Sequence, residues 1–281
     1  MQRCTDKHRP LQRAAFLTCH HKAPLVEAAL ADCGLAVETL DSFDTDQLGT
    51  FSREVNRPHS AQDTALAKAK LATDLAGMRY GLGSEGSFGR DPHVGWMPWD
   101  YELLCLWDAE REYAVYALAG SGATNYAQGE VDSLEAAQAF MDKAQFPEHA
   151  LIIGRAGEPW FRKGIRRRET LLDLLHTLLP IHGRVWLETD MRAHLNPLRQ
   201  AVIRDAAAAL VKRLSQCCPA CAAPGFALAR SEPGLHCEAC GISTALAATH
   251  IWECPACACA DAERHPITSK APAAHCGYCN P

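Results

Sequence analysis

Four Cys-x-x-Cys pairs near the C-terminal end constrain the fold of this chain more than any other sequence feature. The chain has 14 cysteines, and ten of them fall between Cys217 and Cys279. Two cysteines separated by two residues can turn both thiolates toward one metal ion, and a second pair completes a tetrahedral Zn²⁺ site. The pattern predicts two structural zinc sites with the ligands Cys218, Cys221, Cys237, Cys240, Cys254, Cys257, Cys276 and Cys279.

These four pairs can form the two sites in two ways. Sequential pairing joins the first pair to the second and the third to the fourth, across spacers of fifteen and eighteen residues that suit zinc ribbons. We expect this pairing, with two ribbons in series, and cross-braced pairing is the alternative. Cys217 and Cys259 are interpreted as neighbours of ligands. Four thiolates close each site, which argues against catalysis at zinc, and we expect chelation to unfold only this tail.

The remaining composition is that of a globular protein. The chain has 281 residues, of which 48% are hydrophobic and 22% charged, and its formal net charge is −5. These values exclude disorder, collagen and coiled coil. No apolar run approaches the ~18–20 residues of a membrane helix, and residues 1–13 do not resemble a secretory signal. We therefore expect a cytoplasmic protein with reduced thiols and no membrane contact.

The charge of the cysteine-rich tail bears on its partners. From Cys217 to Pro281 three basic residues face five acidic ones, a formal charge of −2, and each Zn²⁺ with four thiolates adds about −2 more. A nucleic-acid grip needs a basic face. The tail is therefore interpreted as a structural element or a docking surface for a protein partner.

The residues before the tail alternate short strand patterns with helical periods, which predicts an α/β domain with a mixed sheet flanked by helices over residues 1–214, followed by the zinc region over 215–281. Strands are predicted at 14–18, 35–40, 80–83, 103–107, 113–119, 150–154 and 185–188. Helices are predicted at 24–33, from a Ser60 cap to Gly77, and at 134–144, 169–179 and 197–214. Ligands are expected where loops leave the carboxyl ends of strands.

Two of these loops carry the first candidate residues. Thr18, His20 and Lys22 lie where a strand runs into a helix N-terminus, a place that can hold a phosphate, although a capping threonine and a solvated lysine would also explain them. Glu54 and Arg57 lie in the polar segment 44–57, which could line a site for Mg²⁺ and phosphate or be a plain surface loop.

Two later segments complete the set. The sequence from Gly81 to Gly89 is interpreted as a glycine-rich loop with Glu85 at its centre, as a metal ligand or general base, and a plain turn is the alternative. No helix signal follows it, which excludes a dinucleotide-binding motif. Asp190, Arg192, His194 and Arg199 cluster where another strand enters a helix, and we favour a site there. The basic run 162–168 is interpreted as a solvated helix start, with attraction of an anionic substrate as the alternative.

Several blocks resemble the bacterial family described as domain of unknown function 6671, over nearly the whole chain. They are Thr18-x-His20-x-Lys22, Asp44-Thr-Asp46 with Gly49-Thr-Phe, Ser84-Glu-Gly-Ser-Phe-Gly89, Glu188-Thr-Asp-Met-Arg-Ala-His194 with Asn196-Pro, and Tyr278-Cys-Asn-Pro281. The resemblance implies no activity.

The N-terminal third is also similar to nucleoside triphosphate pyrophosphatases of the inosine-triphosphatase type, through the first loop and through Asp63-Thr-Ala-x-x-Lys68-Ala. This resemblance implies that Lys22 holds phosphate, that Glu54 and Glu85 bind Mg²⁺ or activate water, and that Lys68 and the late loop with Arg192, His194 and Arg199 contact the substrate. It is a likeness of fold, which does not fix a reaction.

The sequence thus supports two hypotheses on function. The first is a Mg²⁺-dependent phosphohydrolase of nucleotides or similar anionic small molecules, in which Lys22, Glu54, Glu85 and Asp190 are catalytic. The second is a non-catalytic protein that binds an anionic ligand and docks a partner through its zinc region.

Overall fold

The structure, a computed structural model, describes residues 12–18, 21–40, 60–91, 95–155, 158, 160–264 and 269–281, without the side chains of 261–264. The described residues form five α-helices, α1 (Ala23–Ala31), α2 (Ala61–Ala76), α3 (Leu134–Lys143), α4 (Arg168–His182) and α5 (Pro197–Leu214). They also form twelve strands, β1 (Gln12–Leu17), β2 (Leu35–Leu40), β3 (Tyr80–Arg90), β4 (Pro98–Asp108), β5 (Tyr113–Ser121), β6 (Gln128–Val131), β7 (Leu151–Gly154), β8 (Phe161–Ile165), β9 (Val185–Thr189), β10 (Ala227–Pro233), β11 (Ala247–Glu253) and β12 (Ala260–Arg264).

The first sheet is mixed and has the strand order β2-β1-β3-β4-β5. Its first three strands are parallel, and β4 and β5 continue it as antiparallel neighbours. Helices α1 and α5 pack on one face, around Phe16, Leu104 and Ile203, and α2 packs on the other through Ala65 and Ala69. The predicted α/β fold, with a mixed sheet flanked by helices, is confirmed.

Strand β3 corrects the interpretation of residues 81–89 as a glycine-rich loop, because these residues form the middle of an eleven-residue strand. The glycines allow α2 to lie directly against the strand. A Cβ atom on Gly81 would lie 2.0 Å from the carbonyl oxygen of Ala69, and one on Gly83 would lie 1.9 Å from that of Ala65. Alternate glycines therefore mark close packing of a helix on one face of a strand.

A second, antiparallel sheet has the order β6-β9-β7-β8 and its own core with α3 and α4. The predicted helices at 134–144 and 169–179 and the strands at 150–154 and 185–188 correspond to α3, α4, β7 and β9. The basic run 162–168, interpreted as a helix start, instead lies mostly in β8, and α4 begins only at Arg168.

The predicted ends of two helices are confirmed by their capping contacts. Ser60 accepts a hydrogen bond from the Asp63 amide at 3.1 Å, and Gly77 ends α2 in the left-handed conformation at φ 61°. Asn196 caps α5 in the same way, by accepting from the Arg199 amide at 3.0 Å. None of the helices in the described ranges is long and apolar enough to cross a membrane.

The zinc region packs against the first sheet at β5 and the end of α5. Cys218, Ala223, Phe226 and Cys254 belong to the same hydrophobic cluster as Tyr113, Val115, Leu210 and Leu214. At Gly225 the approach is so close that a Cβ atom would lie 2.6 Å from Val115 Cγ2. Part of the tail thus belongs to the main core. Removal of the metal is therefore expected to destabilise the α/β part as well as the tail.

Candidate functional site

The eight cysteines of the four pairs form two groups, and their pairing is the cross-braced alternative rather than the sequential one. Cys218 and Cys221 join Cys254 and Cys257, whereas Cys237 and Cys240 join Cys276 and Cys279. The reason is the β10–β11 hairpin, in which Ala227 pairs with Glu253. The first pair precedes β10 and the third follows β11, so both lie at the open end of the hairpin, and the second pair lies near its turn.

Both groups have the geometry of a structural zinc site. Tetrahedral thiolates at a Zn–S distance of about 2.3 Å lie about 3.8 Å apart. The sulfur atoms of Cys218 and Cys257 are 3.8 Å apart, and those of Cys221 and Cys254 are 3.7 Å apart. In the second group the distances are 3.9 Å for Cys237–Cys279 and 3.6 Å for Cys240–Cys276. Four soft sulfur donors at this spacing fit Zn²⁺.

Metal analysis tests this assignment directly. The purified full chain is expected to contain two zinc ions, because each group offers four ligand atoms within 4.8 Å of one another. Cys217 and Cys259 belong to neither group, so Cys259→Ser serves as a control that should leave the zinc content unchanged. One zinc ion per chain, or none, would contradict the two-site interpretation.

A second candidate site is a buried ion network between the first sheet, α1 and α5. Lys22, at the N-terminal end of α1, donates to Ser84 Oγ at 2.6 Å and forms an ion pair with Glu102 Oε1. Arg199, in the first turn of α5, pairs with the other oxygen, Glu102 Oε2, at 3.1 Å. One carboxylate on β4 therefore holds two cations that come from the N-terminal ends of two different helices.

The surrounding elements fix this network in place. A Cβ atom on Gly86 would lie 2.5 Å from Glu102 Oε2 and 2.6 Å from Arg199 Nη2, so any other residue there would displace the ends of both side chains. Arg199 also donates to the Met191 carbonyl, and its guanidinium lies 5.0 Å from the ring centre of Phe88. The loop after β9 is thus linked to the first sheet through one arginine.

Burial and charge act in opposite directions on these side chains. Burial lowers the pKa of Lys22 to about 8, although Glu102 favours its charged form. Burial would raise the pKa of Glu102, but Lys22 and Arg199 outweigh it and hold this pKa at about 2. Near neutral pH the network therefore holds one carboxylate and two cations.

Asp100 lies beside this network and differs from its other members. It precedes Glu102 by two residues on β4, so both side chains project from the same face. Within the described part of the chain neither of its carboxylate oxygens has a hydrogen-bond partner. Burial, reinforced by Glu102, raises its pKa to about 7 against the effect of Arg199 and Lys22.

Glu85 lies on the opposite face of the same sheet. Successive residues of a strand project to opposite sides, so Ser84 reaches Lys22 whereas Glu85 turns toward α2 and forms an ion pair with Lys68. The sequence placed Lys22, Lys68 and Glu85 in one site, and the structure separates them into pairs across the sheet.

Of the four candidate residues of the late loop, Arg199 contacts Glu102 directly, and Asp190 and Arg192 pair with each other. Asp190 accepts from the amide of Gly164 at 3.0 Å and binds Arg192 through two hydrogen bonds of 2.9 and 2.7 Å. This pair joins β8 to the end of β9. The ring of His194 contacts that of His21, with their centres 5.5 Å apart, so the first and last of the predicted loops meet.

The remaining predicted residues divide into those the structure describes and those it does not. Thr18 is buried at the end of β1, where its amide donates to the Leu40 carbonyl at 3.4 Å. His20, Glu54 and Arg57 lie outside the described residues.

Sequence reasoning missed Asp100 and Glu102, although a signal was present. These two acids alternate in phase with Leu104 and Leu106 along β4, and all four share the buried face. A carboxylate in phase with buried leucines must itself face the core, where it needs a partner or a function.

The fold and the two kinds of site define an α/β protein whose described residues form three sheets, with a buried ion network between the first sheet, α1 and α5, and a cross-braced pair of four-cysteine groups. The chain belongs to the family described as domain of unknown function 6671, whose profile matches residues 68–281. The matched segment includes Glu102, Arg199 and all eight cysteines of the two groups. Comparisons with curated proteins and with solved structures found no match.

Proposed function

We propose that this protein is a Mg²⁺-dependent hydrolase that acts on the phosphate groups of a nucleotide or a similar anionic small molecule. The observation that carries the proposal is the convergence of Lys22, at the N-terminal end of α1, and Arg199, in the first turn of α5, on Glu102. Buried ion pairs contribute little net stability, because desolvation offsets their attraction. A buried network with shifted pKa values is more typical of a functional site than of a contact that only stabilises the fold.

The two cations have complementary roles toward a phosphate group. Arginine presents parallel N–H groups that match two phosphate oxygens, and lysine acts as a point charge. Glu102 holds both side chains in place, and an entering anion would compete with it for their positive charges. Bound Mg²⁺ would supply neutralisation of phosphate charge and an activated water molecule. Carboxylate oxygens, the donors available at this site, are the ligands that Mg²⁺ prefers.

The test is an assay of the full, zinc-loaded chain with Mg²⁺ and a panel of nucleoside mono-, di- and triphosphates, with phosphate and pyrophosphate both measured. Lys22→Gln is expected to lower kcat/KM about a hundredfold, by analogy with the loss of one transition-state contact. Asp108→Asn is the control, because Asp108 is a buried carboxylate on the same strand that pairs with Arg79 away from the network. No product from any nucleotide, or an unchanged rate in Lys22→Gln, would contradict the proposal.

A second proposal is non-catalytic binding of an anionic ligand, with the zinc region as a docking surface for a protein. The pairing of both cations to Glu102 and the burial of the network favour it. On the zinc region, Tyr278 and Ile242 are exposed apolar side chains beside the second cysteine group. Nucleotide binding measured by isothermal titration calorimetry, in a chain that releases no product in the hydrolysis assay, would support this proposal over the first.

A further inference from the structure

Asp100 is the buried carboxylate that the ion network leaves without a partner. Its side chain belongs to a residue that is only 1% exposed, and in the described ranges neither oxygen accepts a hydrogen bond. The nearby cations are committed to other groups, Lys22 to Ser84 and Glu102, and Arg199 to Glu102 and the Met191 carbonyl. An ionised carboxylate in this position carries a large desolvation cost, which no hydrogen bond from the described residues offsets.

Asp108 is a carboxylate on β4 with a structural role, and it can be compared with Asp100. It lies on the same strand and the same face as Asp100 and is also buried. Arg79 binds it through two hydrogen bonds of 2.9 and 2.8 Å, and the amides of Glu110 and Arg111 donate to it at 3.1 and 3.2 Å. Among the described residues Asp100 has no comparable set of contacts, so a ligand from outside the chain would supply the partner it lacks.

We propose that Asp100 is a ligand of a divalent cation, Mg²⁺ in function, that enters the network together with a phosphate group. The inference rests on the proposed hydrolase and names the carboxylate that holds its metal. Mg²⁺ is usually bound through one or two carboxylates and completes its shell with phosphate oxygens and water.

The charge balance supports entry of the cation with phosphate rather than alone. Asp100 and Glu102 carry two negative charges when both are ionised, and Lys22 and Arg199 carry two positive charges. A divalent cation together with a phosphate dianion leaves this balance unchanged. The cation gives the oxygens of Asp100 a partner, and the dianion lies within reach of the two basic side chains.

The experiment uses Mn²⁺ as a paramagnetic probe of the full chain. Zinc content is first measured, so that both cysteine groups are known to be filled. Free and bound Mn²⁺ are then distinguished by electron paramagnetic resonance, with and without inorganic phosphate, for the wild type, Asp100→Asn and Asp108→Asn. Asparagine has nearly the shape of aspartate and removes a buried charge, so Asp100→Asn is expected to fold.

The wild type is expected to bind one Mn²⁺ per chain, more tightly with phosphate. Asp100→Asn should weaken this binding at least about tenfold, since changing even residues that support a metal ligand costs that much. Asp108→Asn should leave it unchanged. No Mn²⁺ binding in the wild type, equal binding in Asp100→Asn, or equal loss in both variants would overturn the inference.

This outcome is separate from that of the hydrolysis assay. Mn²⁺ binding that depends on Asp100, in a chain that releases no product from any nucleotide, would contradict the proposed hydrolase and leave the metal ligand standing. Hydrolysis in a chain whose Mn²⁺ affinity does not depend on Asp100 would support the proposed hydrolase and contradict the assignment of Asp100 as the metal ligand.

Discussion

Replacing Cys254 by serine is expected to destabilise the α/β part of the protein as well as the zinc region. Cys254 lies in the hydrophobic cluster that contains Tyr113 and Val115 of β5 and Leu214 of α5. Structural zinc contributes about 10–16 kcal/mol of apparent binding energy in small peptides. Loss of a third of this energy would lower Tm by about 10 °C in a chain of this size.

The matched variant is Cys276→Ser in the second cysteine group. Cys276 is as buried as Cys254, but it belongs to none of the four hydrophobic clusters found among the described residues. Circular dichroism at 222 nm distinguishes the two variants. The last described α-helix, α5, ends at Leu214, so the helical signal reports on the α/β part. Cys276→Ser should lower the zinc content from two to one and leave this signal nearly unchanged.

Equal loss of helical stability in the two variants would contradict the view that only the first group is part of the main core. So would a Cys254→Ser protein that loses one zinc ion and melts like the wild type. A zinc measurement on each variant is needed, because a serine that still holds the metal through three cysteines would reduce the effect.

The sequence predicted which cysteines form the two groups better than it predicted how they pair. Ligand type and the two-residue spacing within a pair are local features, so all eight cysteines were identified. Pairing depends on which strands meet, and both spacers suited zinc ribbons. The deciding element is the β10–β11 hairpin, whose two strands were not predicted from the sequence. The division of the chain at residue 214 stays a prediction.

The candidate site could be predicted only in part, for a similar reason. Loops at strand ends identified Lys22 and Arg199, because their residue types stand out from their surroundings. Their shared partner, Glu102, lies inside a strand that the sequence predicted only from residue 103 onward, whereas β4 begins at Pro98. Ion pairs of high sequence separation, here 80 and 97 residues, leave no local pattern to detect.

Replacing Glu102 by glutamine is expected to cost about 3–5 kcal/mol of stability at neutral pH, which is typical for removal of one partner from a buried ion pair. Both Lys22 and Arg199 would remain buried with a neutral amide in place of their carboxylate. Without Glu102 the pKa of Lys22 should fall further below its ordinary value, since burial already lowers it to about 8. Asp108→Asn is the control, and its cost should be smaller because Arg79 is partly exposed to water.

The pH dependence distinguishes this electrostatic cost from a loss of packing. The pKa of Glu102 is lowered from 4.5 to about 2 in the folded protein. A carboxyl group with a depressed pKa stabilises the fold above its unfolded pKa, and this contribution is lost as pH falls from about 5 to 2. The difference in free energy of unfolding between the wild type and Glu102→Gln should therefore shrink by about 3 kcal/mol over that range, as measured by urea denaturation at each pH. A difference that stays constant with pH would mean that Glu102 acts through its shape rather than its charge.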